Sequence, residues 1–295
     1  VAEQSAIEWT DETLNFAWGC TKKDAPCAHC YIEDTPPFRK EGLRFERGHI
    51  PLRFFPDRIE KPLRRRKPRK IFVNSLSDTF HEDMPVDLID RLFGMVAACD
   101  FLEKGHVFQI LTKRPERMRD YLLDPNLRER LAKRAAWNCE DGDAAHDFVL
   151  YGDRWPLPNV WCGATIGNRR SVHYADVLRA TPAAVRFISA EPLLGPLSIG
   201  PATGTGIHEW PDGYVGPMLC LAGIDWLIVG GESGPEHRPI QPTWVRNLRD
   251  AARTAGTAFF FKQWGGRTPK SGGRELDGRT WDEFPGVARQ GAGGG

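Results

Sequence analysis

Three of the seven cysteines crowd into eleven residues, Cys20, Cys27 and Cys30, with the spacing C-x6-C-x2-C, while Cys99, Cys139, Cys162 and Cys220 are scattered. In a reducing compartment a tight group of thiols binds metal more often than it forms disulfides, because thiolates are the ligands soft metals prefer. Asp24, Ala25 and Pro26 make the intervening segment prone to turn. Three thiolates can hold three irons of a cubane 4Fe-4S cluster and leave the fourth iron open to an exogenous ligand. The competing reading is a zinc site completed by His29 or His49, although the second CxxC of a zinc knuckle is missing.

A second chemical signal is charge. Residues 61–70 carry seven Lys/Arg and no acid, and residues 38–70 hold thirteen Lys/Arg against four Asp/Glu, a local excess of +9. Such a stripe suits phosphate backbones through counterion release, with Arg64, Arg65, Arg66, Lys67, Arg69 and Lys70 as the contacts. Trp9, Trp18, Phe54 and Phe55 are near enough in sequence to offer stacking surfaces for bases. The plain alternative is a solvated face that keeps the protein soluble.

These groups need a frame. Six short apolar runs read as parallel strands buried on both faces: 71–76, 107–112, 160–165, 185–190, 226–231 and 258–262, with a weaker seventh at 15–19. Helical segments with start signals fall between them at 85–99, 115–122, 169–180 and 242–255, three opening on or near Pro and the last stopped by Gly256. The alternation predicts an α/β protein, a partial (β/α) barrel of about six parallel strands with right-handed crossovers.

Chemistry in such barrels gathers at the C-terminal strand ends. Those ends carry Asn74, Ser75, Ser77 and Asp78; Thr112, Lys113 and Arg114; Thr165 and Asn168; Ser189 and Glu191; Glu232 and Ser233; Lys262 and Gln263. His81 and Glu82 read as surface helix caps. Residues 124–158 and 196–225 read as surface insertions or lids, residues 1–266 as the barrel with those insertions, and 267–295 as a Gly-rich tail with one docking segment around 276–285.

The 295 residues suffice for a sizeable core, and 41% hydrophobic with 27% charged residues excludes a disordered or fibrous chain. The balance of 40 Lys+Arg against 39 Asp+Glu says little about partners as a whole. No apolar run approaches the roughly 20 residues that span a bilayer. The first residues show neither a basic nor an apolar signal region, so the expectation is a cytoplasmic protein without a membrane partner.

Three cysteines in a loop after the first strand of a β/α barrel resemble the radical S-adenosylmethionine (SAM) superfamily. The stretches Ile7-Glu-Trp-Thr-Asp11, Cys27-Ala-His-Cys-Tyr31, Phe72-Val-Asn-Ser-Leu-Ser-Asp78, Phe80-His-Glu-Asp83, Leu111-Thr-Lys-Arg-Pro-Glu-Arg-Met118, Ser189-Ala-Glu-Pro-Leu-Leu-Gly195, Val229-Gly-Gly-Glu-Ser-Gly234 and Phe261-Lys-Gln-Trp-Gly265 are similar to a phage-associated three-cysteine-motif protein family, over about residues 7–285.

The chain departs from the usual superfamily pattern in two places. The first cysteine gap is six residues rather than three, and the aromatic Tyr31 follows Cys30 instead of preceding it. Asn74-Ser-Leu-Ser-Asp78 stands where the superfamily ends its second strand with Gly-Gly-Glu, while Gly230-Gly231-Glu232 here follows a late strand.

The resemblance implies a 4Fe-4S cluster on Cys20, Cys27 and Cys30 with SAM on the open iron. It places Ser75, Ser77 and Asp78 at the amino group of SAM, Lys113 or Arg114 at its carboxylate, and Thr165, Asn168 and Glu191 at its ribose. Glu232 and Lys262 are left for substrate handling. The implied enzyme cleaves SAM reductively, fed by a flavodoxin or ferredoxin. The basic run suggests a nucleic acid substrate, DNA before RNA, by analogy with the DNA-repair member spore photoproduct lyase. The rivals are a non-enzymatic nucleic-acid-binding protein whose cluster or zinc is structural, with Cys162 or Cys220 as a fourth ligand, and a hydrolase or nuclease using Asp78, Glu82, Asp83, Glu191 and Glu232.

Overall fold

The computed structural model describes residues 5–201 and 206–286. The strands, in chain order, are β1 (Glu12–Leu14), β2 (Ala17–Thr21), β3 (His49–Phe54), β4 (Lys70–Val73), β5 (Val107–Thr112), β6 (Val160–Thr165), β7 (Val185–Ala190), β8 (Ile207–Glu209), β9 (Val215–Pro217), β10 (Trp226–Gly230) and β11 (Ala258–Gln263). The helices are α1 (Pro36–Glu41), α2 (Val86–Phe101), α3 (Pro115–Leu122), α4 (Leu127–Ala136), α5 (Gly142–Tyr151), α6 (Tyr174–Arg179) and α7 (Pro242–Ala255).

Seven strands form one parallel sheet in the order β1-β4-β5-β6-β7-β10-β11, each new strand added at the same edge. The sequence reading missed one strand of this sheet, β1 at Glu12–Leu14, and the strands β3, β8 and β9 outside it; most of 15–19 belongs to β2, which pairs antiparallel with β3. Stepwise winding with helical crossovers curls the sheet. The Trp9 ring lies 4.7 Å from Phe72 on β4 and 6.1 Å from Trp226 on β10. In a flat sheet those strands would stand about 19 Å apart, at ~4.8 Å per strand. One indole can touch both only across a concave face.

The period-2 alternation along each strand divides the core in two. Ile71, Val73, Phe108, Ile110, Cys162, Ile188, Leu227, Val229, Phe259 and Phe261 pack outward among the helices. Phe72, Trp161, Phe187, Trp226, Ile228 and Phe260 fill the concave side with Trp9. Gly163 belongs to the inner set and has no room for a side chain, since a Cβ there would lie 2.3 Å from the Phe187 ring. The aromatic filling stops about one layer short of the strand ends, and above it begins the polar cavity described below.

Residues 124–158 contain α4 and α5, which pack on each other and on α2, and residues 196–225 contain the β8–β9 hairpin; among the described residues, none of either insertion lines the cavity. In the last described stretch the Phe261 amide donates to Trp281 O and the Glu283 amide to Phe259 O, so this segment lies along the edge strand β11. Phe284 packs on Trp226 at 5.0 Å. Residues 287–295 of the expected tail lie outside the described residues.

Candidate functional site

Above the aromatic layer, at the C-terminal ends of the sheet strands, opens a cavity of about 450 Å³, within the range of a small-ligand site. All three clustered cysteines line it, as do Ser75, Ser77, Asp78, Lys113, Arg114, Thr165, Glu191, Glu232 and Lys262. Asn168 does not: its side chain accepts from the Arg170 amide at 2.8 Å and caps the short turn Arg169–Ser171. Cys162 and Cys220 do not reach the cavity either, and Cys162 packs among the helix-side residues.

The cysteine segment is built from short-range bonds. Cys20 sits on β2 opposite Ile50. Cys27 closes the turn Ala25–Cys27, its amide donating to Asp24 O at 2.9 Å. Lys22 Nζ donates to Ala28 O at 2.8 Å and curls the segment back on itself. The Tyr31 hydroxyl donates to Ser75 O, tying the segment to the end of β4. Burial pushes the Cys20 thiol up to about 12, with the nearby Asp78 carboxylate adding to the effect, and burial likewise raises Cys30. Metal binding must therefore release protons from these thiols.

Among the described residues no three or more His, Cys, Asp and Glu side chains are grouped to hold a single metal ion. Neither histidine of the zinc reading is directed at the thiols. His29 turns Nδ1 to Glu232 Oε2 at 3.3 Å and Nε2 to Glu236 at 3.7 Å, while His49 Nδ1 is bonded to Thr21 Oγ1 at 2.8 Å.

The polar strand ends divide into groups already bonded and groups left open. Asp78 is bonded throughout: Oδ1 accepts from Thr112 Oγ1 (2.7 Å) and the Phe80 amide (2.9 Å), and Oδ2 from the Lys113 amide and Arg114 Nη1 (both 3.1 Å). Arg114 is buried and also donates to Glu82 Oε2 (2.6 Å) and Thr21 O (3.2 Å). Burial opposes its charge, but Asp78 and Glu82 outweigh burial and hold its pKa above the ordinary value. These two residues therefore shape the rim, and both are already partnered where a ligand contact was expected. Ser75 Oγ is likewise bonded to the Asn15 side chain.

Lys113 is different. Its ammonium has no hydrogen bond or ion pair among the described residues, and although burial opposes its charge, Cys27, Cys30, Asp24 and Asp78 raise its pKa. Ser77 Oγ and Thr165 Oγ1 are buried with no hydrogen-bond partner among the described residues. An unmet buried hydroxyl costs about 1–3 kcal/mol, so a polar ligand that reaches both is favoured.

On the opposite wall Lys262 Nζ and Glu191 Oε1 form a 2.5 Å ion pair. Gly230 lies beneath it, where a Cβ would sit 2.8 Å from Glu191 Cγ. Glu191 thus faces Lys262. Glu232 is buried and fixed: Arg238 donates Nη2 to Oε1 at 2.5 Å, Nε to Oε2 at 2.8 Å and its amide to Oε2 at 2.9 Å. Burial works against ionisation, yet these bonds keep the Glu232 carboxyl below its ordinary pKa. A carboxylate so bound is no proton acceptor for substrate. It fastens the cysteine segment instead, because Arg238 Nη2 also donates to Ala25 O (3.1 Å) and Glu232 holds His29.

Arg238, His29, Glu8, Trp9 and Lys270 belong to this region; the sequence reading gives Arg238, Glu8 and Lys270 no role, His29 only a place in the zinc alternative and Trp9 only a stacking one. The first two stand beside motifs that do carry a role, Gly230-Gly231-Glu232 and Cys27–Cys30. Trp9 is 2% exposed, so it is unavailable as an external stacking surface. His81 is 1% exposed rather than a surface cap: its Nε2–H donates to Thr21 Oγ1 at 2.9 Å, and Nδ1 accepts from the Asp83 amide at 3.1 Å, which fixes the tautomer.

The basic run lies at the other end of the sheet, leading up to and including Lys70, the first residue of β4, and none of it lines the cavity. Arg65 pairs with Glu12 at 2.8 Å, and Lys70 lies 4.0 Å from Asp11 and 4.4 Å from the Phe284 ring. Arg64, Arg66 and Lys67 are exposed, and Arg69 is half-buried.

No helix among the described residues is long and apolar enough to cross a membrane. No curated protein and no solved structure matches the chain. One family model matches residues 4–285, nearly the whole length, and on that match the chain belongs to the family described as Protein of unknown function (DUF5131).

Proposed function

We propose that this protein is a radical SAM enzyme. The observation that carries the reading is the composition of one cavity: three cysteines on one segment, the unpaired ammonium of Lys113, and the unmet hydroxyls of Ser77 and Thr165. That set suits a zwitterionic, ribose-bearing ligand beside a three-thiolate cluster. Cys20, Cys27 and Cys30 hold the 4Fe-4S cluster, Lys113 alone takes the SAM carboxylate, and Ser77 and Thr165 meet its amino and hydroxyl groups. Bound there, the cluster supplies the electron that splits SAM into methionine and a 5′-deoxyadenosyl radical.

The chain's own residues position and enclose. Asp78 and Arg114 fix the end of β5 so that Lys113 faces the thiols, Glu232 and Arg238 fasten the cysteine segment, and the aromatic layer below excludes water. Ala25, Ala28 and His29 are exposed, which leaves the segment open to a flavodoxin or ferredoxin donor. Nucleic acid remains the proposed partner, DNA before RNA. The exposed Arg64, Arg66 and Lys67 support it by charge, but at the far end of the sheet they serve as a tether and not as part of the reaction site.

The test is anaerobic preparation of the full chain, iron and sulfide analysis, then reduction with SAM. About four irons and four sulfides per chain are expected, with 5′-deoxyadenosine formed by the wild type and by none of Cys20→Ala, Cys27→Ala and Cys30→Ala. Stoichiometric zinc without labile sulfide, or an intact cluster that yields no 5′-deoxyadenosine, overturns the reading.

A further inference from the structure

The half-barrel has an open side between its edge strands β1 and β11. Two segments without a part in the radical reading meet there: residues 6–9 before β1 and residues 269–270 after β11, all lining the cavity. Glu8 Oε1 and Lys270 Nζ join them at 3.0 Å, and the Lys270 amide donates to Gln263 Oε1 at 3.1 Å.

This closure leaves two polar atoms unmet. Glu8 Oε2 is buried with no partner among the described residues, and so is the indole Nε1–H of Trp9, a residue 98% buried. Ile7, Phe72 and Leu111 supply apolar wall to the same cavity. A carboxylate acceptor, an indole donor and apolar faces are complementary to a flat heterocycle with an N–H donor beside an acceptor. That is the Watson–Crick edge of an unstacked nucleobase.

The rim suits what a nucleobase is attached to. Lys23, Arg170 and Arg267 are exposed on three loops at this end of the sheet, and none has an ion pair among the described residues. Lys23 lies 5.8 Å from the Tyr174 ring and Arg170 lies 5.6 Å from the Tyr214 ring. The loop of Arg170 abuts the cysteine segment at Gly167, where a Cβ would lie 2.8 Å from Pro26 Cγ. Three rim acids have cationic or imidazole neighbours: Asp212 pairs with Arg169, Glu116 lies 3.8 Å from His173 and Glu236 lies 3.7 Å from His29; Asp24, next to Lys23, has no ion pair among the described residues and instead accepts from Cys27 Sγ.

We infer that the cavity receives one unstacked base of a single-stranded nucleic acid, its edge read by Glu8 and Trp9 and its flanking phosphates held by Lys23, Arg170 and Arg267. This deepens the proposed function by naming the substrate class, and it relocates the productive contact from the basic run to the cavity rim.

The experiment measures binding of the full chain to a fluorescent single-stranded DNA oligonucleotide and to the same backbone without bases, with neither SAM nor reductant. The base-bearing strand is expected to bind on the order of tenfold more tightly. Glu8→Ala and Trp9→Phe should each erase most of that difference, thermal melting confirming that both variants fold. Replacing Lys23, Arg170 and Arg267 by Ala should flatten the salt slope by about two units. Equal binding of the two strands by the wild type, unchanged discrimination in both variants, or a slope that responds only to Ala at Arg64, Arg66 and Lys67 overturns the inference. Because no radical chemistry is read, a protein that binds as expected yet forms no 5′-deoxyadenosine overturns the SAM reading alone.

Discussion

Glu232 and Arg238 illustrate how a motif can mislead about role while marking place. Gly-Gly-Glu in the sequence invites a ligand-binding carboxylate, but the carboxylate is buried, doubly bonded by one guanidinium, and turned to His29 between two cysteines. Breaking one partner of such a pair leaves an uncompensated charge, whereas replacing both with apolar groups is often close to neutral. Arg238→Met should therefore lower the melting temperature and reduce iron retained after anaerobic reconstitution. Glu232→Met combined with Arg238→Met should recover the melting temperature but not the iron, because Ala25 O and His29 stay unanchored. Full iron occupancy in both variants would show that the cysteine segment needs no such anchor. The cysteines and strand-end polar residues were legible from type and spacing alone. Their division into bonded and open groups was not, because Asp78 meets Arg114 thirty-six residues away and Glu232 meets His29 more than two hundred residues away.

Among the elements, strands with a continuous apolar run were read closely: β5, β6 and β7 occupy the expected residues, and α7 runs from Pro242 to its Gly256 stop in the left-handed region (φ +70°). Three-residue β1 was missed because a strand that short carries no periodicity. The helices inside the 124–158 insertion were not legible because charge and alanine suit a loop or a helix equally, and what decides is packing on α2. Gly94 is the contact point: a Cβ there would lie 2.2 Å from Arg134 Cβ, with Arg134 backbone atoms at 3.2 Å. A methyl group cannot enter without separating α2 and α4, and overpacking of this kind typically costs about 1–3 kcal/mol. Gly94→Ala should lower stability by that order in chemical denaturation while leaving iron content unchanged, since α4 lies outside the cavity. Wild-type stability in the variant would mean that the two helices are free to shift apart.

At the scale of the whole molecule the chain sorts its chemistry along the strand direction, with cysteines and polar ends above, an aromatic layer in the middle and the basic run below. Two buried imidazoles stand at opposite ends of this arrangement. His81, above, is bonded to Thr21 and the Asp83 amide; His106, below, donates to Pro62 O (3.1 Å) and accepts from the Arg69 amide (3.1 Å). Burial lowers the pKa of both from the ordinary 6.5, and for His81 the Arg114 charge adds to the effect against Glu82, Asp78 and Asp83. The folded chain keeps both neutral, while the unfolded chain takes up protons as pH falls through 6.5. Their contribution is thus complete above that pH and is lost below it, by at most about 1.4 kcal/mol per pH unit for each imidazole. Each protonated imidazole would also have to break its bond to a backbone N–H, Asp83 at one end and Arg69 at the other, so acid should loosen both ends of the sheet together. Chemical denaturation at pH 7.5, 6.5 and 5.5 should show little change over the first step and a clear loss over the second. His81→Gln with His106→Gln should remove most of that loss, because an amide offers a donor and an acceptor without titrating. An equal loss in the variant would assign the acid sensitivity to carboxylates and free the two histidines from any part in it.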